Sequence, residues 1–116
     1  MMTPRESLLL HGFYDWVALD QVHRCVALSM AGSPTARVQE AVLELIRDML
    51  AHGLFEIGDV TAERGFAAWP DPINDSIAKI ERYYVEAYQD VNVWPWCCWL
   101  NLTSYGERVA SRLPQN

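Results

Sequence analysis

Between residues 33 and 53 the apolar side chains Val38, Ala41, Val42, Leu45, Met49 and Leu50 recur three and four positions apart. That spacing puts them on one broad stripe of a helix, the longest uninterrupted helical pattern in the chain. Leu43 and Ile46 widen the stripe and predict neighbours on more than one side. Ser33 as N-cap, Pro34 at the first helical position and Gly53 just past the end supply start and stop signals. Upstream, residues 5–15 read as a short helix that Gly12 weakens near its end, and Trp16-Val17 as a break. Residues 18–30 form a second helix, with Leu19, Val22, Cys25, Val26 and Met30 at helical spacing and Asp20 near the positive end of the dipole. Three helices therefore precede Gly53.

Beyond it the pattern changes. Leu54-Phe55-Glu56-Ile57 reads as a strand entered directly from the helix, Gly58-Asp59 as the start of a turn, and Phe66-Ala67-Ala68-Trp69 as a short returning strand. Asp71-Pro72 repeats the start signal of Ser33-Pro34, and Ile73, Ile77, Ile80, Tyr84 and Ala87 predict an amphipathic helix over 72–88. After a turn at 89–92, the strand-forming residues of 93–102 predict a last strand on which Trp94, Trp96, Cys98 and Leu100 share one face and Trp99 the other. Thr103 caps a closing helix over 104–113. No repeat or linker divides the chain, so one α+β domain over 1–116 is expected.

The segment Trp99-Leu100-Asn101-Leu102-Thr103-Ser104-Tyr105-Gly106-Glu107-Arg108-Val109-Ala110 resembles the exit of winged-helix domains, where the last wing strand ends in Leu-Thr ahead of a Gly and a short helix. Thr103 would cap that helix, and Gly106 would let it approach the sheet closely. The opening Asp15-Trp16-Val17-Ala18-Leu19-Asp20-Gln21-Val22 is also similar to small actinobacterial proteins of this architecture, a group without an established activity. The resemblance implies a winged-helix-like fold: a three-helix core, a small antiparallel sheet, a helix inserted between the wing strands and a short C-terminal helix. Two features depart from the usual pattern. The helix at 72–88 is an insertion, and the wing tip, 58–65, is acidic where a DNA-binding wing carries Lys or Arg.

Charge narrows the choice of partner. The net charge is −6, from 15 acidic and nine basic residues, of which only Lys79 is a lysine. Duplex binding draws most of its non-specific affinity from neutralised phosphates, so this balance disfavours nucleic acid and suits a basic partner protein. Cys25, Cys97 and Cys98 show no disulfide framework or metal spacing and read as reduced core thiols, with Cys97 and Cys98 on opposite faces of a strand. The longest apolar run, 94–100, is far shorter than the roughly 20 residues of a membrane helix, and the N-terminus lacks a signal-like segment. The expected setting is the cytoplasm, with no membrane contact.

Two surfaces compete for the function. A DNA-binding regulator would use helix 34–52 for recognition, reading bases through Arg37, Gln39 and Arg47, yet Glu40, Glu44 and Asp48 on the same helix oppose phosphate. A protein-binding domain would use the surplus of large rings, with Trp94, Trp96, Tyr84 and Tyr88 as contacts, in an inhibitor, immunity-like or accessory role. The composition favours the second. A homodimer is compatible with both, through terminal helices or the Ile73-Ile77-Ile80 stripe. No catalytic role, cofactor or metal is expected. His11, His23 and His52 are scattered, the pairs His11/Asp15 and Glu40/Glu44 suit a solvated helix face, and the glycines form no phosphate cradle.

Overall fold

A computed structural model describes residues 2–114. The chain runs α1 (Pro4–Tyr14), β1 (Val17–Ala18), α2 (Leu19–Ser29), α3 (Thr35–Ala51), β2 (Phe55–Thr61), β3 (Gly65–Ala68), α4 (Ile73–Tyr84), a 3-10 turn (Trp94–Trp96), β4 (Trp99–Leu102) and α5 (Ser104–Ala110). It is an α+β fold, with the four strands in one antiparallel sheet of order β1-β4-β2-β3. Opposed residues in an antiparallel ladder share a face. Val17 and Ile57 stand opposite Leu100, and Phe55 opposite Leu102, so one row of the sheet is apolar and buried. Leu8 of α1, Val22 of α2, Ile46 of α3 and Ile80 of α4 join that row in a single core.

The start of α1 is a capping box. Thr3 Oγ1 accepts the Glu6 N–H at 3.2 Å, and the Glu6 carboxylate accepts the Thr3 N–H at 2.9 Å. Helix α3 ends as its sequence predicts. Gly53 takes a φ of 70°, its N–H reaches Leu50 O, and the Leu54 N–H reaches Met49 O. That pair of bonds satisfies two end carbonyls and turns the chain into β2.

The start of α3 differs from expectation by one residue. Its N-cap is Pro34, which is still extended at φ −62° and ψ 151° and whose carbonyl accepts from Arg37 and Val38, while the Ser33 N–H closes the preceding turn on Met30 O at 2.9 Å. Pro72 likewise caps α4, because Asp71 is drawn away to Lys79 Nζ at 2.6 Å.

Four further expectations are corrected. Trp16-Val17 is more than a break, since Val17 and Ala18 pair with Leu100 and Trp99 as β1. Gly58-Asp59 is no turn: β2 runs through to Thr61, and the turn lies at 62–64. Gly58 serves close approach instead, for a Cβ there would collide with the Ala67 carbonyl oxygen of β3. Helix α4 stops at Tyr84, where the Glu86 N–H bonds to Glu81 O five residues back and widens the last turn. The predicted strand over 93–102 is extended only from Trp99, because Pro95 has no N–H for a ladder and a fixed φ that suits the 3-10 turn.

At the far end Thr103 caps α5 as expected, accepting the Gly106 N–H at 2.9 Å. Its hydroxyl also donates to Gly53 O at 2.6 Å, so one side chain ties the end of α3 to the start of α5. Gly106 allows the close approach anticipated from the sequence, since a Cβ would strike Leu54 O and Leu102. The helix itself ends at Ala110, short of the expected 113.

Candidate functional site

The long segment between α4 and β4 is held by an aromatic cluster around His23. Helix α2 supplies His23, α4 ends on Tyr84, the following turn supplies Tyr88 and the 3-10 turn supplies Trp94. Tyr84 Oη lies 2.5 Å from His23 Nδ1, and Tyr88 Oη lies 3.3 Å from His23 Nε2. Both ring nitrogens are therefore engaged. Trp94 stacks on Tyr88 at 5.1 Å between centroids and 21°, and meets His23 and Tyr84 at 5.2 and 5.0 Å. Burial holds the His23 pKa below its ordinary value, against an opposing pull from Asp20. Burial, with Tyr88 beside it, drives the Tyr84 hydroxyl far above the ordinary tyrosine range. At neutral pH His23 is thus an uncharged imidazole bridging two phenols.

This placement splits the proposed partner contacts. Tyr84 is 0% and Trp94 5% exposed, so both are core rather than surface, and Tyr88 is half-buried. Trp96 alone of the four stands out, 55% exposed, stacked on the half-buried Trp99 at 5.9 Å and 25°. Trp94 and Trp96 do not share a strand face, because the 3-10 turn swings successive side chains around rather than alternating them. Trp99 stands opposite Gly58, where no side chain competes for the space. The same segment exposes Val91 and Val93.

The proposed base-reading residues separate too. Gln39 is 7% exposed and donates from Nε2 to Tyr84 O at 2.9 Å, so it packs inside rather than reading bases. Arg47 donates to Asn74 Oδ1 of α4. Arg37 remains exposed. These two bonds, one near each end of α4, run that helix antiparallel along α3 and cover part of its outer face. Arg5 pairs with Asp48 at 3.0 Å and Arg24 with Asp20 at 3.0 Å, so neither joins a basic face.

Cys97 and Cys98 depart from the expected opposite faces. Cys97 has helical backbone angles, so the pair is not laid out as on a strand. The interaction between the adjacent thiols holds the half-buried Cys97 thiol below the usual range and, with burial, pushes Cys98 well above it. Among the described residues no group of three or more His, Cys, Asp or Glu side chains is arranged to hold a metal, and no helix is long and apolar enough to cross a membrane.

Sequence reasoning missed His23 as the centre of the cluster. Its partners lie 61 and 65 residues away, and no local spacing reports such a contact. Comparison with family models, curated proteins and solved structures finds no match to the chain.

Proposed function

We propose that this chain is a non-catalytic domain that binds a basic partner protein, with the Trp96–Trp99 ring stack as the centre of contact. The observation that carries the reading is the outward stand of Trp96, 55% exposed on the firmly packed base that Trp94 and the His23 cluster provide. Exposed tryptophan on a rigid support is the side chain most enriched among residues that dominate binding energy. The net charge of −6 favours encounter with a basic surface. Reduced thiols at Cys25, Cys97 and Cys98 accord with a cytoplasmic setting. We read the fold as a winged-helix variant. Supporting this are the order helix, strand, helix, helix, strand and the position of β4 between β1 and β2, with β3 and α4 inserted before β4. DNA binding through α3 is the weaker reading, because Gln39 is buried and α4 occupies part of the face that would enter a groove.

The test is affinity capture from the protein's own cells with wild-type and Trp96→Ser baits, followed by titration of the recovered partner. Loss of Trp96 should weaken the complex at least about tenfold, as for a central aromatic contact, while the thermal midpoint stays put. A partner retained equally by both baits would refute the surface.

A further inference from the structure

The sheet has two edges, and they are finished differently. At one, β1 is only two residues long and runs straight into α2. At the other, β3 is Gly65-Phe66-Ala67-Ala68, with neither a charge nor a proline to guard it. The Trp69 N–H bonds to Ile57 O at 2.9 Å, which fixes the alternation along the strand. Gly65 and Ala67 turn their backbone groups to Thr61 and Asp59 of β2, and Phe66 and Ala68 turn theirs outward. Among the described residues nothing bonds to those two N–H and two C=O groups. Ala68 is exposed and Phe66 half-buried, so a chain laid alongside can reach them.

We propose that β3 accepts an extended segment of the partner as a fifth strand, apolar toward Trp99 and basic toward Asp59, an inference that rests on the protein-binding reading above. The two faces beside the edge select those side chains. Trp99, Gly58 and Ala68 lie in one row across β4, β2 and β3, with Val60 and Phe66 paired on the same face. Gly58 has no side chain and Ala68 only a methyl, so the Trp96–Trp99 stack and the edge share one shallow apolar face. On the opposite face Asp59 stands beside Ala67. Asp59 and Glu63 line a depression there with Arg64, two acids to one base, and neither acid is in an ion pair among the described residues. A cationic side chain on an added strand reaches over the small Ala67 to the Asp59 carboxylate. Alternation along that strand then calls for apolar and basic residues in turn, while the backbone groups of Phe66 and Ala68 supply the main-chain bonds. A second copy of the chain fits this edge worse, since each carries a net charge of −6 and brings the same acids with it.

The experiment is an NMR titration of the full chain with the acetylated peptide Val-Lys-Val-Lys-Val-Lys-Val amide, alongside its Val-Glu counterpart, with hydrogen exchange read at single amides. In the free chain the Phe66 and Ala68 amides should exchange faster than those of Ala67 and Trp69, which are turned to β2. The lysine peptide should protect Phe66 and Ala68 at millimolar concentration, and the glutamate peptide should bind at least about fivefold more weakly. Ala68→Pro removes an outward N–H without breaking the ladder, so it should keep the fold and abolish binding of the lysine peptide. Asp59→Asn leaves the backbone edge intact and should weaken that peptide about twofold to fivefold. Three results would each overturn the assignment: no protection at Phe66 and Ala68, equal binding of the two peptides, or protection that grows with protein concentration alone, which would give the edge to a second copy. The probe needs no native partner, so a negative titration removes the edge and leaves the Trp96 surface standing. Insensitivity of a captured partner to Trp96→Ser removes that surface and leaves the edge.

Discussion

Tyr84→Phe deletes one oxygen from the centre of the aromatic cluster and leaves the ring in place. The phenyl group keeps its contacts with Trp94 at 5.0 Å and Tyr88 at 5.9 Å, so the packing contribution is nearly conserved. What is lost is the partner of His23 Nδ1, 2.5 Å away. Removing one member of a buried hydrogen-bonded pair costs about 1–3 kcal/mol, since the other is left desolvated and unpaired. His23 is only half-buried, and water can reach part of the ring, which places the expectation near the middle of that range. About 1.5–2 kcal/mol corresponds to a fall of roughly 6–12 °C in the thermal midpoint of a domain this size. Urea unfolding followed by tryptophan fluorescence at pH 7.5 measures it directly, with Trp94 as a local reporter. The slope with urea should be unchanged, because the surface exposed on unfolding is the same. A loss below about 0.5 kcal/mol would refute the reasoning and show that the Tyr84–His23 bond contributes nothing beyond what water supplies.

The same cluster sets a pH dependence. Burial depresses the folded-state pKa of His23 below the unfolded value of about 6.5. Between those two values the unfolded chain binds a proton that the folded chain refuses. Stability from this site is therefore fully present above about pH 6.5 and declines as pH falls through the folded pKa. His23→Phe removes the titrating group, so the wild-type curve should drop relative to the variant on acidification from pH 7.5 to 5. Parallel curves would mean that His23 titrates alike in both states.

Two predictions test the junction of α3, β4 and α5, and one tests the Trp96 surface. Gly106→Ala should destabilise the domain by more than about 2 kcal/mol in thermal unfolding, although alanine is the better helix former by about 1 kcal/mol, because its Cβ would strike Leu54 O. Thr103→Val should cost about 1–2 kcal/mol, since the Gly106 N–H loses its cap and Gly53 O its donor, and Thr103→Ser should restore most of it. Trp96→Ser should leave the midpoint unmoved while weakening a captured complex.

The helical part of the fold was legible because it rests on local signals. The stripe of Val38, Val42 and Met49 and the stop at Gly53 each act within a turn or two, and all three apolar residues are buried. Thr103 and Gly106 were legible for the same reason, and the Thr3-x-x-Glu6 box was equally available in the sequence. The strands were harder. Val17–Ala18 is too short to show a period, and it becomes a strand only because Leu100 and Trp99 lie beside it. Gly58 read as a turn signal, whereas its reason is the Ala67 backbone, nine residues on. The tryptophan-rich segment read as one strand because ring content outweighed Pro95. Of the candidate contacts, Trp96 kept its exposure, while Tyr84 and Trp94 turned inward against His23 and Gln39 against Tyr84, through pairings that cross 45 residues or more.

Helix α4 decides which of the two surfaces is free. An exposed α3 would present Arg37, Gln39 and Arg47 together on its outer side. Instead Gln39 bonds to Tyr84 O at one end of α4 and Arg47 to Asn74 at the other, so two of the three side chains spend their hydrogen bonds on the inserted helix. Docking DNA on that face would require both bonds to open and bring Glu40 and Glu44 toward phosphate, which together outweigh the positive charge of the exposed Arg37. The chain that follows α4 does the opposite for the other face. Pinned at Tyr84, Tyr88 and Trp94, it carries Trp96 outward onto Trp99 with little conformational freedom left to lose on binding. The insertion thus covers part of one surface and builds another, on which Trp96 and Trp99 stack outward from a buried aromatic base.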